Sequence, residues 1–142
     1  MRLRLETDYG IRCVMYLAQQ TEYVQASKIA AAMQVPENVI PRVLSRLKHS
    51  GLVSARSGVM GGHKLGRPAD QITMLDIVRC MEDHIVLDRC LEEGVEEYEN
   101  EAAVMQNVHE YFMDVQIVLE NALRSVTVAN MMEYKTEMLS VK

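Results

Sequence analysis

The stretch from Asn38 to Leu65 leaves the chain little choice of fold. Proline is tolerated in the first turn of a helix, where its missing N–H would have no partner, and not deeper. Pro41 therefore fixes a helix start close upstream, with Asn38 as its N-cap. Gly51 supplies the left-handed residue that ends the helix near Ser50. Between them Val39, Ile40, Val43, Leu44 and Leu47 make an apolar stripe, and Arg42, Ser45, Arg46, Lys48 and His49 occupy the remaining surface. Residues 52–56 read as a strand, 57–61 as a glycine-bearing turn and 62–65 as the return strand.

Two shorter helices precede this unit. Thr7 is placed to cap the first, with Asp8 in its first turn and Ile11, Val14, Met15 and Ala18 recurring at helical spacing to about Gln20. A short extended link follows, and Ser27 is placed to cap a second helix over 28–33, with a turn at 34–37. Helix, helix, turn, helix and hairpin is the layout of a winged helix-turn-helix. The fold class is mainly α with a small β wing, and residues 1–80 are assigned to that module.

Thr73, with Asp76 three residues on, marks a further helix whose apolar side is Ile72, Leu75, Ile77, Val78 and Met81. Residues 81–101 are acidic, carry Gly94 and read as a loop. Residues 102–142 form a helical arm, with a long helix to about Ser125 and a terminal one capped by Thr127 and containing Met131, Met132 and Met138. In the long helix Val104, Val108, Tyr111, Val115, Val118, Ala122 and Leu123 approximate a heptad seam, widened by Phe112, Ile117 and Leu119. Such a stripe suits either a second copy of the chain or a fold back onto the first domain; dimerisation is the favoured reading, with the arm also packing back on that domain.

Charge is divided unevenly. Residues 1–72 hold ten Lys or Arg against five Asp or Glu, while 73–142 hold five against fifteen, so a basic first half is hidden within a net charge of −5. DNA attracts a local basic face rather than the chain average. No run approaches the roughly 20 apolar residues of a membrane-spanning helix, and the first residues show no signal-peptide pattern. The three cysteines, Cys13, Cys80 and Cys90, are widely spaced and form no C-x-x-C pair, which fits a reducing cytoplasm better than a disulfide framework or zinc ribbon. No nucleophile, base and orienting acid are grouped, and no glycine loop cradles phosphate, so catalysis is not expected.

A set of pieces in fixed order carries a family resemblance. They are Met1-Arg2-Leu3, Asp8-Tyr9-Gly10-Ile11-Arg12, Leu44-Ser45-Arg46-Leu47-Lys48, Gly51-Leu52-Val53-Ser54 and Gly61-Gly62-His63-Lys64-Leu65. Residues 68–73 leading into Asp76-Ile77, then Asp88-Arg89-Cys90-Leu91 and Ser125-Val126-Thr127, complete the set. Together they span nearly the whole chain, which resembles the Rrf-two family of bacterial winged-helix repressors. The resemblance implies a homodimer whose third helices enter successive major grooves of a near-palindromic double-stranded DNA operator, with the wings in the flanking minor grooves. Asn38 and Arg42 suit base edges, and Arg46, Lys48 and Arg56 suit phosphates. Ser27, Ser45, His49, Ser57, Gly61 and His63 complete the candidate surface. The wing departs from the family pattern: Arg56 comes one place early, His63 stands where tyrosine is frequent, and Val59 and Met60 interrupt a tip commonly rich in Pro and Gly. The competing reading is a dimeric protein-interaction module that keeps the fold without specific DNA binding.

Cluster-binding members of the family use three cysteines ahead of the dimer helix, in some with a histidine or an N-terminal acid as fourth ligand. Here the corresponding candidates are Cys90, Asp8 across the dimer and His109. An iron–sulfur cluster, a thiol sensor at Cys90, a small-molecule pocket and a regulator without sensing all stay open, so the cofactor is unknown. Cys13 and Cys80 fall on apolar helix faces, as small core residues do.

Overall fold

The computed structural model describes residues 2–87 and 103–133. Among these, α1 (Leu5–Leu17), α2 (Ala26–Met33) and α3 (Ile40–His49) precede a hairpin of β1 (Val53–Arg56) and β2 (Gly62–Leu65). A 3-10 turn at Ala69–Gln71 leads to α4 (Met74–Met81), and α5 (Ala103–Arg124) and α6 (Val128–Met132) follow. One core joins them: Cys13, Val14 and Leu17 of α1 meet Ile29 of α2, Val43, Leu44 and Leu47 of α3, Ile77 and Met81 of α4 and Val128 of α6. The fold is the mainly helical winged helix-turn-helix expected from the sequence.

Pro41 sits in the first turn of α3, as its chemistry requires. At the other end Gly51 adopts φ +80°, the Gly51 N–H bonds the Lys48 carbonyl at 3.0 Å, and the Leu52 N–H bonds the Leu47 carbonyl at 3.0 Å. This is a Schellman motif, completed by burial of both Leu47 and Leu52. It turns the chain sharply from α3 into β1.

The hairpin is antiparallel, with Val53 opposite Leu65 and Arg56 opposite Gly62. Val24 adds one rung at its far edge, exchanging bonds of 2.8 and 2.7 Å with the His63 backbone. Gly62 lies at φ +139° beside that rung, where a Cβ would come 2.4 Å from the Val24 carbonyl oxygen. The wing is thus fastened to the α1–α2 link through a position only glycine can occupy.

Helix starts differ from the sequence expectation at three places. The first helix begins at Leu5 with Arg4 as N-cap, and Thr7 lies inside it, fully buried, its hydroxyl donating to Glu82 Oε1. Ser27 does not cap α2, which starts at Ala26 after Gln25. Asn38 does not cap α3: Val39 holds that position without a side-chain bond, and the helix ends at His49. The two capping threonines downstream do cap, Thr73 with Asp76 and Thr127 with Asn130, each in a reciprocal box.

The long helix α5 runs beside α4. Gln116 accepts from the Leu87 N–H at 3.2 Å and donates to the Ile85 carbonyl, and Arg79 of α4 pairs with Glu120 at 2.8 Å. Past its end the chain returns to the first core: the Val128 N–H bonds the Ile72 carbonyl at 2.8 Å, and the Val128 side chain is fully buried.

Candidate DNA-binding surface

A helix turns its side chains by about 100° per residue. In α3 that rotation separates the buried row Ile40, Val43, Leu44 and Leu47 from an exposed row of Arg42, Ser45 and His49, with exposed Asn38 just ahead of it. Two cations flank the exposed row. Arg46 points toward α4 and the N-terminal segment, and Lys48 lies on the wing side, where its charge reaches His63. Polar hydrogen-bonding groups in the middle with cations on both sides suit base edges between two phosphate walls.

Acidic side chains of the chain itself hold two of these arginines. Arg42 pairs with Glu6 of α1. Arg46 pairs with Asp83 at 3.0 Å, and Arg4 pairs with the same carboxylate at 2.9 Å and with Glu82 at 3.3 Å. Hydrogen bonds from Arg46 and Arg4 hold the Asp83 carboxyl below the usual carboxylate range. For Glu82, desolvation works against the charge, but bonds from Thr7 and the Arg4 backbone, with the Arg4 guanidinium, bring its pKa down. Sequence reading missed Glu6, Asp83 and Arg4 here; each lies more than thirty residues from at least one partner, so no local spacing could reveal them.

In the wing, Arg56 stacks over the Tyr23 ring at 4.8 Å and Lys64 lies 5.8 Å from the same ring. Arg56 also donates to the Met60 carbonyl at 3.3 Å. Tyr23 was not anticipated, because nothing in its spacing distinguishes it. A cavity of about 450 Å³ between wing and α2 is lined by Tyr23, Gln25, Ser27, Lys28, Arg56 and Met60, among others, so Ser27 faces the wing rather than capping its helix. Ser57 is exposed, and Val59 and Met60 stand 90% and 79% exposed at the tip. Gly61 is buried, with Arg56 O only 2.1 Å from where a Cβ would stand, so it serves the turn. His63 is half-buried, and its Nδ1 is enclosed without a hydrogen-bond partner. Desolvation lowers its pKa, the Val24 backbone opposes that shift and Lys48 adds to it.

The candidate ligand residues are placed less favourably. Asp8 is engaged by Arg12 at 2.7 Å, one turn along α1. His109 lies half-buried near the start of α5. Cys90 and the acidic residues around it lie outside the described residues. Cys13 is fully buried, which pushes its thiol up to about 12. Cys80 is half-buried, accepts from the Ser50 hydroxyl at 3.1 Å and donates to the Arg46 carbonyl at 3.4 Å. Among the described residues, no three His, Cys, Asp or Glu side chains come together as a metal site.

On α5, Val104, Val108, Tyr111, Val118 and Ala122 are exposed, the first, third and fourth at 65%, 63% and 68%. Val115 and Leu119 of the same seam are half-buried. Leu119 lies on the side of Gln116 and Glu120, which faces α4.

A helical core, an exposed polar face on α3 and a two-stranded wing define a winged-helix DNA-binding protein. The Rrf2 model, described as an iron-dependent transcriptional regulator, matches residues 3–134, and the chain belongs to that family. It is a transcription regulator and not an enzyme. Its fold is similar to that of CymR (YrzC), the global cysteine regulator of B. subtilis, with a TM-score of 0.74 and 25% identity over 95% of this chain and 98% of that one. It is also similar in fold to T. potens IscR, with a TM-score of 0.70 and 24% identity over 100% and 93% of the two chains. Protein aau3 of Rhizobium meliloti (strain 1021) is 38% identical over 95 residues, which span 66% of this chain and 62% of that relative.

The family's description raises the question of iron. An ordinary iron–sulfur cluster takes four ligands, mostly thiolates. Of the three cysteines here, Cys13 is sealed in the core and Cys80 is tied to α3, which leaves Cys90 as the remaining thiol. Asp8 is paired with Arg12, and the remaining candidate, His109, offers an imidazole rather than a thiolate. This donor set does not fit an ordinary cluster.

Proposed function

We propose that the chain acts in the cytoplasm as a homodimeric repressor, placing α3 of each copy in the major groove of a near-palindromic operator. The observation that carries this reading is the exposed row Asn38, Arg42, Ser45 and His49, flanked by Arg46 and Lys48. Asn38 and Arg42 read base edges, while Lys48, Arg46 and Arg56 meet phosphates. Ser27, Ser57 and the wing turn add backbone contacts. The second copy is supported by the apolar row Val104, Val108, Tyr111, Val118 and Ala122, which this chain's own core leaves exposed. A membrane role has no support from the helices: none among the described residues is long and apolar enough to cross a bilayer.

The test compares two substitutions on a duplex selected from random DNA by the wild-type protein. Arg42→Ala is expected to lose about 1–3 kcal/mol on that duplex and little on scrambled DNA. Lys48→Ala is expected to weaken both alike and flatten the salt dependence by about one contact. Equal behaviour of the two variants refutes the division of roles.

A further inference from the structure

The ion pair between Asp83 and Arg46 joins a flank of the recognition helix to the segment that follows α4. Asp83 is not a loose surface acid. On one side Glu82 is fixed by the Thr7 hydroxyl and by the Arg4 N–H at 2.8 Å. On the other, Ile85 and Leu87 are tied to Gln116 of α5. Between these anchors the Asp83 carboxylate, with 61% of its side-chain surface open to solvent, receives Arg46 and Arg4 together. A phosphate arriving at Arg46 meets an anion already 3.0 Å from the guanidinium.

Resting on the reading of α3 as the DNA-contacting helix, we propose that Asp83 is an affinity-setting residue that occupies Arg46 and competes with the DNA backbone for it. The exchange is nearly neutral in charge, because a pair with Asp83 is broken for each pair made with phosphate. Arg46 therefore adds little net affinity while Asp83 is present. The position of Asp83 is set from both α1 and α5, so the competition is built into the packing of the arm against the first domain.

A double-mutant cycle on the full-length chain, titrating the selected duplex across a salt series, tests this. Asp83→Asn keeps the side chain's shape and removes its charge. It is expected to tighten binding by roughly 3- to 10-fold at low salt and to steepen the salt slope by about 0.9. Arg46→Ala is expected to cost less than about twofold in the wild-type background and to cancel the gain in the Asp83→Asn background. Glu37→Gln, which removes an exposed acid before α3 that has no ion pair with Arg46, controls for simple loss of negative charge and is expected to be additive with Arg46→Ala. An equal or larger loss from Arg46→Ala when Asp83 is present overturns the proposal, as does an Asp83→Asn protein that binds no tighter. If Lys48→Ala also leaves binding unchanged, the reading of α3 fails as well; if Lys48→Ala weakens binding, only the role of Asp83 is lost.

Discussion

Replacing Gly62 with alanine probes how the wing is held. The backbone there has φ +139°, which an L side chain rarely adopts, and the new Cβ would stand 2.4 Å from the Val24 carbonyl oxygen and 2.8 Å from the Gln25 nitrogen. Backbone strain at a positive φ costs about 1–2 kcal/mol. Relieving the clash means moving β2 off Val24, which breaks the two His63–Val24 bonds, and each of these is worth about 0.5–1.5 kcal/mol. The expected loss is therefore about 2–5 kcal/mol, a large part of the stability of an ordinary domain. Gly51→Ala is the control: φ is +80°, but nothing lies within 4 Å of the added Cβ, so only the strain term applies. Urea unfolding at one fixed protein concentration measures both. If Gly62→Ala costs no more than Gly51→Ala, the wing is not fastened through Val24 and the reasoning is wrong.

Three other outcomes follow from single features. Val118→Asp puts a charge into the exposed apolar row of α5 without touching the core, and is expected to convert a dimer to monomers in sedimentation equilibrium; a wild-type protein monomeric at micromolar concentration contradicts the premise. Cys13, with its thiol at about 12, is expected to resist iodoacetamide at pH 8 until the protein is unfolded, whereas rapid labelling of the native protein would place it outside the core. Glu82 has a folded pKa below its ordinary value, so its contribution is present above the ordinary carboxylate range and is lost as the pH falls through the depressed value. Glu82→Gln is accordingly expected to flatten the acid limb of the stability profile, and an unchanged limb counts against the Thr7–Glu82–Arg4 cluster.

The parts of the fold legible in the sequence are those decided by a residue's own backbone or by near neighbours. Pro41 and Gly51 mark the recognition helix to within two residues because their constraints are intrinsic. Thr73 and Thr127 cap because Asp76 and Asn130 stand three residues away to reciprocate. Thr7 had the same local appearance but lacks such a partner; Glu82, 75 residues on, captures its hydroxyl and draws it into the helix interior. The candidate site divides the same way. The polar face of α3 was evident from periodicity, while the acids holding Arg42 and Arg46 arrive from α1 and from the end of α4. On α5 the seam was visible, but Val115 and Leu119 turn partly inward because the helix also has a face to pack against α4.

Sequence-specific DNA recognition is the claim on which the rest depends. The most direct measurement is the ratio of wild-type affinities for the selected duplex and for a scrambled duplex of equal length and composition, at one stated salt concentration near 0.15 M. Specific regulators discriminate by about 10³-fold or more, and a ratio of that order, reduced roughly 5- to 150-fold by Arg42→Ala, is expected here. A ratio near one would show that the basic face binds DNA by charge alone, and would favour a winged-helix interaction module over a specific regulator.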